Sequence, residues 1–260
     1  SGDIGLIMAR RMTLEGAKVL CCVELMPFSN GLNRNIVQCL NDYGIPLYLS
    51  HTVVEIKGEN RVEQVVIAQV DQNRNPIPGT EKTFDCDTLL LSVGLIPENE
   101  LTRKAGIQMD PHTNGAVVSE NMETSMDGVF ACGNVAHVHD LVDFVSGESE
   151  TAGAAAAAYV QNGEIETETV LPLAAGEGIG YTVPQHIRLD GVQKSVSVSF
   201  RVRRNYGPST ITVRCGPNKI AAFKRERLAP GEMEHITLPK ALLQKADGPL
   251  IVAVEEVPQS

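Results

Sequence analysis

Thr124-Ser-Met-Asp-Gly-Val-Phe-Ala-Cys-Gly-Asn-Val-Ala-His-Val-His-Asp-Leu-Val-Asp-Phe-Val-Ser-Gly-Glu-Ser-Glu-Thr-Ala-Gly-Ala-Ala-Ala-Ala-Ala-Tyr-Val160 is the stretch whose reading decides the fold. A turn at Met126-Asp127-Gly128 leads into four apolar residues, Val129 to Cys132, which stop at Gly133-Asn134. A short apolar run between turn residues predicts a strand buried on both faces, as in a parallel sheet. A glycine at its carboxyl end lets backbone approach a ligand, and open α/β sheets hold ligands at that end. Gly147-Glu148-Ser149 then predicts a helix start, followed by the small residues Ala152 to Ala158. The free N–H groups and positive dipole end of such a start suit an electron-rich group.

Working outward, residues 1–24 carry a second signal. Ser1-Gly2-Asp3-Ile4-Gly5 precedes a helical pattern that ends at Gly16, and Ala17 to Val23 predicts a strand ending at Glu24. Gly2 and Gly5 fit the last two glycines of a G-x-G-x-x-G dinucleotide fingerprint. One would admit a pyrophosphate to the helix start and the other would allow close helix packing. Glu24, about twenty residues on, suits a hydrogen bond to an adenosine ribose 2′-hydroxyl and would repel a 2′-phosphate, which favours NAD over NADP. Further predicted elements are a helix over Asn33 to Tyr43 closed by Gly44, a strand over Ile45 to Leu49, and a hairpin of Val53–Ile56 with Val62–Val70. Asp71 to Thr80 predicts a loop, and Asp87 to Gly94 a buried strand ending in glycine.

These motifs together resemble the two-dinucleotide-domain flavoproteins of the pyridine nucleotide–disulfide oxidoreductase family. The Val129–Asn134 run is similar to its second flavin motif, with Asn134 where the family has Asp; Asn still hydrogen-bonds ribityl hydroxyls. The Asp87–Pro97 run resembles another of its recurrent marks. The resemblance implies NAD contacts at Gly2, Asp3, Ile4, Gly5, Glu24 and Gly94. It implies FAD contacts at Gly133, Asn134, Gly147, Glu148 and Ser149, and hydride transfer between NAD(H) and FAD toward an unknown acceptor, with a redox partner subunit possible. The implied fold is α/β: a Rossmann-like NAD-binding domain over 1–95 with its first strand missing, and the C-terminal half of an FAD-binding domain over 96–162. In the family, the first flavin half precedes the NAD domain, so the chain reads as a fragment that alone holds flavin poorly. Any redox cysteine pair is then expected upstream.

Residues 163–178 predict a polar connector. Beyond it, Val196, Val198, Phe200 and Val202 alternate with polar residues, and the pattern recurs at Ile211–Cys215 and Leu250–Val254. Strands between Gly/Pro/Asn turns predict a small all-β, Ig-like sandwich over 179–260, outside the resemblance.

The net charge of −10 divides into −15 for residues 1–178 and +5 for 179–260. An acidic front argues against a nucleic-acid partner, and the basic tail (Arg201, Arg203, Arg204, Arg214, Lys224, Arg225, Arg227) suits a solvated face or docking onto that front. No run reaches the roughly 18 apolar residues of a membrane span. Six scattered cysteines without a C-x-x-C pair read as buried thiols in a reducing, cytoplasmic setting. His137 and His139 with Asp140 or Asp143 could be read as metal ligands, but no fourth ligand presents itself, so no metal is assigned and flavin-side or surface histidines are expected. Glu148 and Glu150 read as dipole-complementing residues. The competing functional expectation is a non-catalytic dinucleotide-binding or scaffold subunit that docks a partner through the β-domain.

Overall fold

The computed structural model describes residues 2–256 and divides into two compact units, 1–94 and 95–260. Each is taken by itself.

In the first unit, helix α1 (Asp3–Leu14) begins directly behind Gly2 and ends before Gly16, whose φ of +92° suits glycine. Strand β1 is only Cys22–Val23, and it pairs in parallel with β2 (Leu47–Tyr48). Between them, the helical segment α2 spans 33–43, with α, π and 3-10 turns in succession, and closes on Gly44 at φ +64°. Leu6, Ala9, Cys39, Leu40 and Ile45 form the core beneath this pair. Strands β3 (His51–Lys57), β4 (Gln64–Gln69) and β5 (Lys82–Asp85) make an antiparallel meander. The hairpin expected over 53–70 is present, and residues 71–80 form the loop that returns to β5.

Two expectations fail here. Ala17 to Cys21 is not strand, and Asp87 to Gly94 pairs with nothing among the described residues. The second run leaves Leu90 57% and Leu91 74% exposed, which is the opposite of a buried strand. Its Leu-rich composition gives β propensity, but a parallel strand exists only with a hydrogen-bonded neighbour.

The second unit opens with α3 (Glu100–Lys104) and irregular backbone linked by isolated bridges. Helix α4 (Val142–Asn162) is its long element. The β-rich remainder holds a five-stranded sheet, ordered β11-β10-β13-β6-β8, and a three-stranded sheet, β12-β9-β7. Their strands are β6 (Val170–Ala175), β7 (Ile179–Val183), β8 (His186–Arg188), β9 (Ser195–Val202), β10 (Ser209–Cys215), β11 (Asn218–Arg225), β12 (Glu234–Pro239) and β13 (Leu250–Glu256). A short helix, α5 (Lys240–Leu243), follows β12. Neighbours run antiparallel except β13 with β6. One apolar cluster draws on both sheets: Leu171 and Leu173, Val196 to Val202 at alternate positions, Ile211, Val213, Ile236, Leu238, and Leu250 to Val254 at alternate positions. The parity read from the sequence is therefore the buried parity of β9, with Val198 and Phe200 fully enclosed.

The stretch expected as a connector over 163–178 contains β6, an interior strand of the larger sheet. Val170-Leu171-Pro172-Leu173 reads as a broken pattern because Pro172 interrupts it, yet β6 pairs with β13 through Leu173 to Ala175, beyond the proline.

Candidate functional site

In the first unit the structure gathers the helix start of α1, the end of β1 and the 87–94 segment. Gly2 is the N-cap of α1 in extended backbone, with no side chain capping the helix. The first-turn amides therefore lack a side-chain acceptor, the arrangement that favours an anion. Gly5 faces Ser92: a Cβ on Gly5 would lie 3.1 Å from Ser92 Cβ and Oγ. The close packing expected of this glycine is real, but it is against the 87–94 segment rather than β1. Ile4 is exposed. Asp3 is committed locally, its Oδ1 accepting the Leu32 amide at 2.8 Å and Asn35 Nδ2 at 2.6 Å. Glu24 stands just past β1 and is buried, with Oε1 accepting the Met26 amide at 2.9 Å. Gly94 adopts φ +91°, and no atom of the structure would meet a Cβ there.

In the second unit the strand expected over 129–132 is absent. Phe130 makes one isolated bridge to Glu123, and Val129 and Cys132 are half-buried. Gly133 follows at φ +69° and opens a 3-10 turn, Gly133–Val135. A side chain at Gly133 would sit in left-handed backbone and meet Val145 at 3.1 Å. Asn134 is exposed, and its Oδ1 accepts the His139 amide at 3.0 Å, closing the loop that carries both histidines.

The helix start lies earlier than expected. Leu141 is the extended N-cap and Asp143 the first-turn acid, so Gly147, Glu148 and Ser149 are inside α4. Their amides are committed to the i→i−4 ladder and cannot serve as the free donors of a helix start. Gly147 and Ser149 are breakers only weakly, at ~1 kcal/mol or less. The extra turn is held by tertiary contacts: Phe144 stacks on His235 with centroids 4.1 Å apart, and Glu148, four residues on, lies on the same helix face.

Glu148 is the hub of this region. Its Oε2 accepts the Gly133 amide at 2.8 Å and His139 Nε2 at 3.1 Å, while Oε1 accepts His137 Nε2 at 2.5 Å. The side chains of His137 and His139 are 1% and 2% exposed, so the expectation of surface histidines is wrong. Burial acts to raise the Glu148 carboxyl, but the hydrogen bonds from both histidines outweigh it and bring its pKa down to about 2. Burial holds His137 below its ordinary value, although Glu148 pulls the other way. One carboxylate thus meets the Nε2 atoms of both rings. Both Nδ1 atoms are buried without a partner among the described residues. Tyr181 packs edge-on to His137 at 5.9 Å, and its hydroxyl is pushed up, chiefly by burial.

Asp140 and Asp143, weighed with the histidines from sequence, do not join them. Asp140 pairs with Arg201 at 3.5 Å and accepts the Met233 amide. Arg201 also donates to the carbonyls of Val138 and Pro230, so it docks on the 138–140 loop rather than facing solvent. Most other basic residues of the tail pair within it: Arg204 with Glu256, Arg214 with Glu255, Arg225 with Glu234. Sequence reasoning missed a second charged cluster. Arg188 reaches Glu120, Glu123 and Asn121, and both glutamates have side chains only 4% exposed. Glu123 also accepts the Gly128 amide, which fixes the turn before Val129. Residues 65 or more apart in sequence offer no local signal for such a cluster.

The six cysteines are free thiols, two of them buried. Burial and the neighbouring Cys22 and Cys86 push the Cys21 thiol up to about 11, so it is unreactive at neutral pH.

Comparison with known proteins agrees with the order of motifs. A family model described as pyridine nucleotide-disulphide oxidoreductase matches residues 1–161. The chain is 28% identical over 181 residues to an NADH oxidase of Methanocaldococcus jannaschii, covering 67% of this chain and 36% of that protein. It is 27% identical over 146 residues to a CoA-dependent NAD(P)H sulfur oxidoreductase of Pyrococcus abyssi, covering 54% and 30%. Among solved structures, thioredoxin reductase of T. acidophilum aligns with a TM-score of 0.54 at 27% identity, over 62% of this chain and 51% of that one. The chain therefore spans about a third of the length of these two curated relatives.

Proposed function

Since the chain belongs to the pyridine nucleotide-disulphide oxidoreductase family, whose cofactors are FAD and NAD(H), we propose that it serves hydride transfer between the two. In this reading residues 1–95 hold the nicotinamide dinucleotide, 96–162 supply part of a flavin site, and 179–260, with β6, form a small β-sandwich that buttresses that part. Bound nicotinamide and flavin would supply the redox chemistry themselves, and the protein would orient them. The same reading calls for an acceptor beyond flavin, carried by a partner subunit.

One observation carries it: α1 begins immediately behind Gly2, with Gly5 set so close to Ser92 that a Cβ there would lie 3.1 Å from it, and with Glu24 buried just past β1. The first-turn amides of α1 would take the pyrophosphate, and Glu24 would accept a ribose hydroxyl with its carboxylate already steadied by the Met26 amide. Asp3, which ties down the 32–35 segment, would act through that tie, while Ile4 and Gly94 would contribute backbone. On the flavin side, Gly133 and Asn134 would meet the ribityl chain, and Gly147 and Ser149 would present only the helix surface. Glu148 would hold the turn through its bond to the Gly133 amide.

Calorimetric titration of the chain with NADH, NADPH and FAD tests this. NADH is expected to bind more tightly than NADPH, and Glu24→Arg to weaken NADH by more than tenfold, with Glu24→Gln intermediate. Weak or undetectable FAD binding would agree with residues 96–162 supplying only part of a flavin site. No nicotinamide binding by the folded chain would transfer weight to a non-catalytic scaffold. That second reading has one specific observation in its favour, the Asn134 oxygen already occupied by the His139 amide.

A further inference from the structure

We propose that His137, His139 and Glu148 form a site for one divalent transition-metal ion of the zinc class, bound through the two Nε2 atoms and the carboxylate. The proposal shares Gly133, Asn134 and Glu148 with the flavin side of the reading above, but it does not rest on nicotinamide binding, which that reading places in residues 1–95.

The ligand atoms of the three residues all lie within 4.8 Å of one another, with Nε2 to carboxylate separations of 2.5 and 3.1 Å. A tetrahedral ion at ~2.0–2.2 Å from nitrogen and oxygen ligands spaces its donors about 3.3 Å apart. Opening the two carboxylate contacts to that spacing takes shifts under an ångström, within the play of one Glu side chain. The donor set is two imidazoles and one carboxylate. Softer thiolate sites are not in reach, and the set suits zinc, iron(II) or cobalt(II) rather than calcium or magnesium, which take oxygen shells. Three protein donors leave at least one position on the ion for water or a small ligand.

Two features favour an ion over a plain hydrogen-bonded fastener. The cluster places two histidines and a carboxylate in nearly complete burial, where a carboxylate is costly without a compensating cation. Arg201, the nearby cation, is already paired with Asp140. Second, the Gly133 amide donates to Oε2, an outer hydrogen bond of the kind that orients a ligating carboxylate, with Oε1 facing His137 and Oε2 facing His139. Backbone conformation adds a constraint. Gly133 at φ +69° sets the amide direction, and the Asn134 side chain fixes the loop that presents both rings.

The test uses the intact, metal-stripped chain titrated with Zn²⁺. One equivalent is expected to bind, and among the six histidines two imidazole ¹H–¹⁵N correlations, those of His137 and His139, should move together. Glu148→Gln, which keeps an acceptor for Gly133, and His139→Asn should each weaken binding by at least about tenfold, since even an outer-shell partner is worth 10–100-fold. With Co²⁺, visible d–d bands without thiolate charge transfer are expected. The proposal is overturned if the folded chain takes up no zinc, or if other histidines report the binding. A thiolate charge-transfer band that survives Glu148→Gln would also overturn it, by placing the ion on the cysteines. Should either variant fail to fold, the imidazole spectra of the unmodified chain decide the matter alone. NADH binding is read separately, so failure of one proposal leaves the other standing.

Discussion

Arg188 shows what one side chain can hold. It reaches Glu120 and Glu123, two carboxylates that burial would otherwise leave as unpaired charges. Arg188→Met is expected to destabilise the second unit by about 3–5 kcal/mol, and adding Glu120→Gln and Glu123→Gln should recover most of the loss. Urea unfolding of the three variants measures both, and a loss below ~1 kcal/mol in the single variant would refute the account. His235 supplies a pH dependence of known sign. Burial holds its folded pKa below the ordinary histidine value, with His139 and His137 acting the same way and Asp140 and Glu148 opposing. The unfolded chain then binds the proton more readily, so this contribution is present above about pH 6.5 and is lost as the pH falls. A His235→Gln variant should show a shallower decline in stability between about pH 7 and 5 than the unmodified protein. Equal slopes would mean that His235 titrates normally.

At the scale of elements, the glycine at the crossing of two loops is decisive. A Cβ on Gly115 would lie 1.7 Å from the Ala136 carbonyl oxygen and 2.7 Å from its Cα, both backbone atoms. Gly115→Ala must therefore displace the 135–139 loop that carries His137 and His139. A destabilisation of about 3 kcal/mol is expected, with His137 and His139 resonances perturbed. Gly147→Ala, in open space inside α4, should instead leave stability unchanged or raise it by ~0.4–1 kcal/mol. Thermal unfolding of this pair separates contact from helix propensity. The same elements show what was legible. Helix α1, the 33–43 helix with Gly44 behind it, the hairpin and the buried parity of β9 were all read from local pattern. The strands over 17–21, 87–94 and 129–132 were not realised, because strand formation requires a neighbour that no local pattern specifies.

For the whole molecule, the second unit has its own apolar cores, one spanning both sheets and another from Ile107 to Ala152 with Val183. Residues 95–260 expressed alone are expected to unfold cooperatively, and Leu238→Ala, at a fully enclosed position, to cost about 2–5 kcal/mol. A broad, non-cooperative melt would show that this unit does not fold by itself. The sequence by itself determined the order of motifs, the family, the glycine turns and the charge asymmetry, because each is a matter of short-range spacing or composition. It also contained His137, His139 and Glu148, but it assigned them to separate roles. Only the tertiary structure decided that α4 begins at Val142, that Arg188 and Arg201 dock on acidic residues far away in the chain, and that one carboxylate meets two histidines. The physical reason is the same in each case. A local pattern fixes which face of an element is apolar, whereas burial of polar groups selects partners across the fold, and those partners are set by packing rather than by spacing.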